Sequence, residues 1–141
     1  MINNYYFCQD LLIGEGSYGK AYFGVNKEDF CPVAVKEMPI RSGYENYYKK
    51  EASRLKKISE NDLFPKMLGF YHSDSAYYII EDWKGLNMKQ FLDFYGGIDK
   101  KTLYNIGIEI IINLKVLHEM GYLHVDLKED NIASIPEEKN R

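Results

Sequence analysis

The sequence predicts an α+β protein in which strands come first and helices follow. Three observations carry this. Five stretches between Tyr5 and Asp82 have the alternating or β-branched character of strands. A single stretch among them, Tyr44 to Ser59, has helical periodicity. Past Glu81-Asp82-Trp83-Lys84-Gly85, a polar run that ends in glycine, the strand pattern gives way to two helical segments. That run divides the chain into residues 1–82 and 83–141.

At 141 residues the chain can bury one ordinary core. With 45% hydrophobic and 28% charged residues, disorder is not the default. A net charge of -3 argues against a nucleic-acid binder, which is usually basic, and against an anionic membrane surface. The tyrosines are scattered and read as packing rather than as a base-stacking platform. The N-terminus has neither the basic nor the apolar region of a signal peptide. The most apolar run, Leu103 to Leu117, is interrupted by Asn105, Glu109, Asn113 and Lys115, so it does not span a bilayer. Cys8 and Cys31 have neither metal-ligand spacing nor disulfide density, and are expected to be reduced thiols of a cytoplasmic or nuclear protein.

Tyr5 to Ile13 reads as the first strand and runs into Gly14-Glu15-Gly16-Ser17-Tyr18-Gly19-Lys20-Ala21. A dinucleotide fingerprint has the same glycine spacing, but its glycines must open a helix. Here Ala21, Phe23 and Val25 alternate as in a strand. The P-loop pattern fails because Ala21 has no hydroxyl for magnesium. The reading that fits strand–turn–strand is a glycine-rich flap whose backbone N–H groups approach phosphate oxygens; a glycine hairpin without a ligand is the alternative.

Pro32 to Met38 is a β-branched strand whose alternation sets Ala34 and Lys36 on one face, and Val33, Val35 and Glu37 on the other. A small residue beside a lysine suits a flat base above and a phosphate nearby; a plain edge-strand charge is the alternative. In the helix that follows, Tyr47, Glu51, Leu55 and Ile58 form the inward stripe. A carboxylate there is costly unless paired, and Lys36 is the expected partner. Met67–Ser73, carrying Leu68 and Phe70, and Ala76–Asp82 complete the strands.

Asn87 is expected to cap a helix to Tyr95, closed by Gly96-Gly97, and Asp99 a longer one to Met120, stopped by Gly121. The longer helix is apolar on nearly every side. Leaving five such side chains wet forfeits roughly 1.5–3 kcal/mol each, which rivals the stability of a domain, about 5–15 kcal/mol. The chain is therefore expected to continue, to find a partner covering Leu103–Leu117, or to be poorly stable.

After that helix, Asp126, Lys128 and Asn131 bring an acid, a cation and an amide within six residues. Asp126 can accept a hydroxyl proton, Lys128 can neutralise phosphate charge, and Asn131 can offer a carbonyl oxygen to magnesium. A polar loop with Asp and Asn as turn formers is the other reading. A strand is expected over Asn131–Ile135, followed by a polar tail. His118 and His124 lie in no metal-spaced cluster and are expected to be structural.

Taken in order, these segments resemble the eukaryotic protein kinase family. Gly14-x-Gly16-x-x-Gly19 resembles its glycine-rich loop, Val33-Ala34-Val35-Lys36 its ATP-lysine strand, Glu51 its C-helix glutamate, and Asp126-x-Lys128-x-x-Asn131 its catalytic loop. The resemblance implies the protein-kinase fold: a five-stranded antiparallel N-terminal lobe with its C-helix, then the first helices and catalytic loop of the helical C-terminal lobe. It implies transfer of the γ-phosphoryl group of ATP, with Mg2+, to a protein hydroxyl. Asp126, Lys128, Lys36 and Glu51 would be catalytic, and Asn131 a magnesium ligand. Nucleotide contacts would come from Ile13, Gly14, Gly16, Ser17, Gly19, Ala21, Ala34, Lys36, Glu81, Trp83 and Ala133. Glu81 to Trp83 would be the hinge offering backbone hydrogen bonds to adenine, and Ile80 would guard the rear of the pocket.

Lys128 has the serine/threonine form of the loop. Phe64-Pro65-Lys66 and the run from Ile106 to His124 are most similar to the casein kinase I branch. Departures carry implications too. Val125 stands where most kinases have the arginine that grips a phosphorylated activation loop, so control of that kind is not expected. Ala21 and Ala133 are smaller than the usual residues around adenine, which implies a loose pocket. No Asp-Phe-Gly follows Asn131, and Asn131 alone would hold magnesium poorly. The rival expectation is a truncated kinase-like module that docks a partner or binds nucleotide without turnover.

Overall fold

The structure, a computed structural model, describes residues 1–133. The chain forms two compact units, Met1–Trp83 and the remainder from Lys84. The first contains β1 (Tyr5–Gly16), β2 (Gly19–Asn26), β3 (Pro32–Pro39), α1 (Glu45–Ile58), β4 (Met67–His72) and β5 (Ala76–Asp82). The strands make one antiparallel sheet in the order β1-β2-β3-β5-β4, as the kinase resemblance implies.

Alternation along β3 and β5 creates two cores. Val33, Val35, Tyr78 and Ile80 pack on one face with Tyr5 and Ala76. Met38, Tyr77 and Ile79 pack on the other against Tyr48 and Ala52 of α1. Tyr48 is fully buried, and its hydroxyl donates to Pro39 O at 3.1 Å, tying the helix to the end of β3. The buried axis of α1 is thus one residue away from the expected stripe. Tyr48 and Ala52 are its centre, while Tyr47 and Leu55 are only partly buried beside it. The rotation keeps Glu51 off the apolar centre, at the flank where a cation can reach it. Leu68 of β4 is exposed, at the register shift between Met67 and Gly69.

In the second unit, α2 (Met88–Tyr95) starts at a capping box between Asn87 and Gln90 and ends on Gly96 at φ 75°. In α3 (Lys100–Glu119) the Asp99 carboxylate accepts from Thr102 N, and Gly121 follows the helix at φ 83°. Leu103, Tyr104, Ile108, Ile111 and Ile112 are exposed on α3, whereas Leu117 is buried. No helix among the described residues is long and apolar enough to cross a membrane. The strand expected over Asn131–Ile135 is not what its first residues form. Glu129–Asn131 is a 3-10 turn, as suits the turn formers Asp130 and Asn131, and Ala133 makes a lone antiparallel bridge to Asn87. Residues 134 and 135 of that expected strand, and the tail, lie outside the described residues.

Candidate active site

The first group of expected site residues lies on the sheet face that carries α1. Cross-strand pairing sets Ala21 opposite Lys36, and Ala34 opposite Glu81. Partners in an antiparallel pair share a face, so Ala21, Ala34, Lys36 and Glu81 all point the same way. Lys36 Nζ donates to Glu51 Oε1 at 2.6 Å across half-buried surroundings. The other carboxylate oxygen, Glu51 Oε2, is buried with no partner among the described residues.

Two expectations for β5 are corrected by this register. Ile80 pairs with Val35, is fully buried in the opposite core, and so does not stand on the Lys36 face. Glu81 stands there instead, one residue on. Its carboxyl is pushed up to about 7, by burial first of all; Lys36 pulls it down, while Asp82 and Glu51 push it further up. The backbone hydrogen bonds expected from Glu81–Trp83 are also partly spent. Asp82 N donates to Lys66 O and Trp83 N to Pro32 O, extending the sheet through this stretch. The Trp83 ring meets Phe23 of β2 edge-on at 5.0 Å.

The glycines separate by purpose. A side chain on Gly19 would meet Glu37 O of β3 at 2.1 Å, so the fold itself demands glycine there. Gly14 and Gly16 have no such neighbour and no left-handed backbone. A Cβ on Gly16 would meet nothing within 4 Å, and one on Gly14 only Ala21 Cβ at 3.9 Å. Glycine at these two positions keeps backbone accessible from outside. Ser17 and Tyr18 form the turn between β1 and β2, which excludes the helix-opening glycine motifs. Tyr18 stacks on Tyr47 of α1 at 4.9 Å, a contact that alternation and spacing do not announce. Ile13 is half-buried just before Gly14.

The second group lies in the second unit. Asn131 Nδ2 donates to Asp126 O at 2.8 Å and to Asp126 Oδ2 at 3.1 Å. Lys128 Nζ is 3.2 Å from the same Oδ2. The 3-10 turn brings Asn131 back over Asp126, and the Asp126 backbone N–H donates to His124 O. All three side chains are exposed. The amide nitrogen of Asn131 is engaged, which leaves its Oδ1 for a cation. Ala133 is exposed beside its bridge to Asn87. No cluster of three or more His, Cys, Asp or Glu able to hold a metal occurs among the described residues. His118 stands with Ile111, Leu114, Lys115 and Glu119 along α3.

Within the first unit, the half-buried ammonium of Lys36 and the open backbone of Gly14 and Gly16 suit a phosphate-bearing ligand. Within the second unit, the Oδ1 of Asn131 suits a magnesium ion as one oxygen ligand.

The sequence profile of the protein kinase domain matches residues 7–139, so the chain belongs to the protein kinase family. The chain is 28% identical over 123 residues to a protein named "Probable cell division protein kinase" from Encephalitozoon cuniculi, covering 86% of this chain and 45% of that one. It is 27% identical over 131 residues to serine/threonine-protein kinase pakG of Dictyostelium discoideum, covering 89% of this chain and 11% of the other. It is 28% identical over 120 residues to the casein kinase I homolog RAG8 of Kluyveromyces lactis, covering 84% and 22%. The chain therefore spans less than half the length of these curated relatives. Equal identity to a cell-division and a casein kinase I type relative singles out no branch. With the family in place, the sheet and α1 form a kinase N-terminal lobe, and α2, α3 and the Asp126 loop form the start of a C-terminal lobe.

Proposed function

We propose that the chain carries the nucleotide and phosphoryl-transfer residues of a protein serine/threonine kinase that uses ATP and Mg2+. The observation that supports this most is the Lys36–Glu51 ion pair, on the sheet face that also bears Ala21 and Ala34. Bound ATP supplies the phosphoryl group, and Mg2+ neutralises charge on it. Lys36 grips phosphate oxygens, and Glu51 fixes the direction of its ammonium. Asp126 takes the proton of the acceptor hydroxyl, while Lys128 balances charge beside it and Asn131 offers Oδ1 to the cation. Lys128, two residues past Asp126, favours serine or threonine as acceptor. Phe64–Lys66 and the run from Ile106 to His124 favour the casein kinase I branch.

Lys36→Met tests the reading. It is expected to abolish transfer of labelled phosphate from ATP to a protein substrate; transfer that survives overturns the role of Lys36. A second reading is a kinase-like docking module, favoured by the apolar residues exposed on α3. On that reading Lys36→Met leaves partner binding unchanged and there is no transfer to lose.

A further inference from the structure

Glu81 lies near the end of β5 on the same face as its cross-strand partner Ala34, and Lys36 is its diagonal neighbour there. Diagonal pairs on one face are within reach of long side chains. Lys36 is held by Glu51 through one oxygen only, and the second is buried without a partner among the described residues. A half-buried face thus carries two carboxylates and one ammonium, with Glu51 in contact with the lysine and Glu81 diagonal to it. The charged groups bearing on Glu81 are Lys36 from β3, Glu51 from α1 and Asp82 on its own strand; its β4 partner, Met67, carries no charge.

We propose that Glu81 is a second, exchangeable partner of Lys36, and that its ionisation governs how strongly this face takes a phosphate-bearing nucleotide. The ligand half of this inference rests on the nucleotide reading above; the Glu81–Lys36 partnership does not. When Glu81 is neutral, Lys36 and Glu51 balance each other, and incoming phosphate oxygens meet an ammonium with no surplus negative charge behind it. When Glu81 is ionised the group carries one net negative charge, Lys36 is divided between two carboxylates, and phosphate is repelled. The carboxyl changes state around 7, so both forms are populated near neutrality. Binding that favours neutral Glu81 must raise its proton affinity in return. A rise of one pH unit in its midpoint corresponds to an affinity change of about tenfold.

The test uses the full chain and Glu81→Gln, with two readouts. In the nucleotide-free protein, side-chain NMR is followed through the neutral range. The Glu81 carboxyl and the Lys36 Cε and Nζ signals are expected to move together with a midpoint near 7, and the Lys36 step is expected to vanish in Glu81→Gln. Lys36 signals that stay flat through the Glu81 transition overturn the proposal. The dissociation constant of Mg-ADP is then compared between the two proteins at pH 6 and pH 8. Titration of the nucleotide itself cancels in the ratio. Glu81→Gln is expected to bind about tenfold tighter at pH 8 and within about twofold at pH 6. The same ratio at both pH values overturns the control of affinity. If Lys36 follows Glu81 but neither protein binds Mg-ADP at either pH, the nucleotide reading falls and the partnership stands. Should Glu81→Gln fail to fold, the wild-type protein decides: Lys36 signals that follow the Glu81 transition support the partnership, and a Glu81 midpoint that is the same with and without Mg-ADP overturns the control of affinity.

Discussion

Lys36 Nζ and Glu51 Oε1 meet at 2.6 Å, joining the middle of β3 to the middle of α1. The two residues are 15 apart in the chain, so the bond fixes tertiary geometry rather than local structure. It holds the lysine in a set direction on that face of the sheet. Because Glu51 Oε2 is already without a partner, removing the cation leaves the whole carboxylate uncompensated. Lys36→Met is expected to lower stability by about 2 kcal/mol. Glu51→Gln, which keeps an acceptor oxygen, is expected to cost less. Urea unfolding of both single variants and the double variant should give a coupling of about 1 kcal/mol, and strict additivity would mean that the two side chains act independently.

Gly16 and Gly19 are three residues apart and should respond in opposite ways to alanine. At Gly19 the added carbon would stand 2.1 Å from Glu37 O, so β2 and β3 must separate. Gly19→Ala is expected to destabilise the fold by about 2–3 kcal/mol. At Gly16 the carbon meets nothing, and Gly16→Ala should leave the melting temperature unchanged or raise it slightly, by stiffening the unfolded chain. Its effect is expected on nucleotide affinity instead, which calorimetry would report as a higher Kd in a fully folded protein.

Much of this arrangement is legible in the sequence where the cause is local. Asn87 with Gln90, Asp99 with Thr102, and the glycines after α2 and α3 set the ends of these two helices through neighbours within a few residues. The β3 alternation likewise gives the right faces, because side-chain direction is a property of the strand itself. What escapes is set by distant partners. Whether Ile80 or Glu81 shares a face with Lys36 depends on how β5 registers against β3. Tyr47 and Tyr48 look alike to helical periodicity, and only the packing against Tyr77 and Ile79 selects Tyr48 for the centre. The register shift at Leu68 has no marker in its own residues.

Stability should carry the signature of Glu81. Its carboxyl changes state near 7 in the folded protein against an ordinary value of 4.5, so the folded state binds the extra proton between those values. Stability then falls as pH rises from the ordinary carboxylate range to neutrality, and levels off above it. Glu81→Gln cannot ionise and should not follow this slope. The variant is expected to gain on wild type by about 2 kcal/mol between pH 5 and pH 8 in denaturant unfolding. A constant difference across that range would mean that Glu81 titrates alike in the folded and unfolded chain.

Asp126 and Asn131 form a unit in which the amide nitrogen of Asn131 bonds both the carbonyl and the carboxylate of Asp126. On the kinase reading, Asp126→Asn removes the proton acceptor but keeps the size of the side chain. Turnover should fall by about 10²–10⁴-fold, while nucleotide affinity changes little. Equal losses in both would contradict a base role. Asn131→Ala releases the Asp126 side chain as well as the cation ligand, so it should lower turnover and also raise the magnesium concentration needed for half-maximal rate.

The exposed apolar residues of α3 give the last expectation. Ile108 and Ile111 are more than half exposed, at 56% and 68%, and Leu103 and Ile112 are exposed on the same helix. Such a surface promotes association in water, because each isoleucine that is covered recovers roughly 1.5–3 kcal/mol of burial. Static light scattering of the chain is expected to show growth in apparent mass with concentration. Ile111→Glu should suppress that growth with little change in melting temperature, since a side chain this exposed contributes little to the core. An unchanged concentration dependence would place the association elsewhere, and a large drop in melting temperature would show that Ile111 is covered within the protein after all.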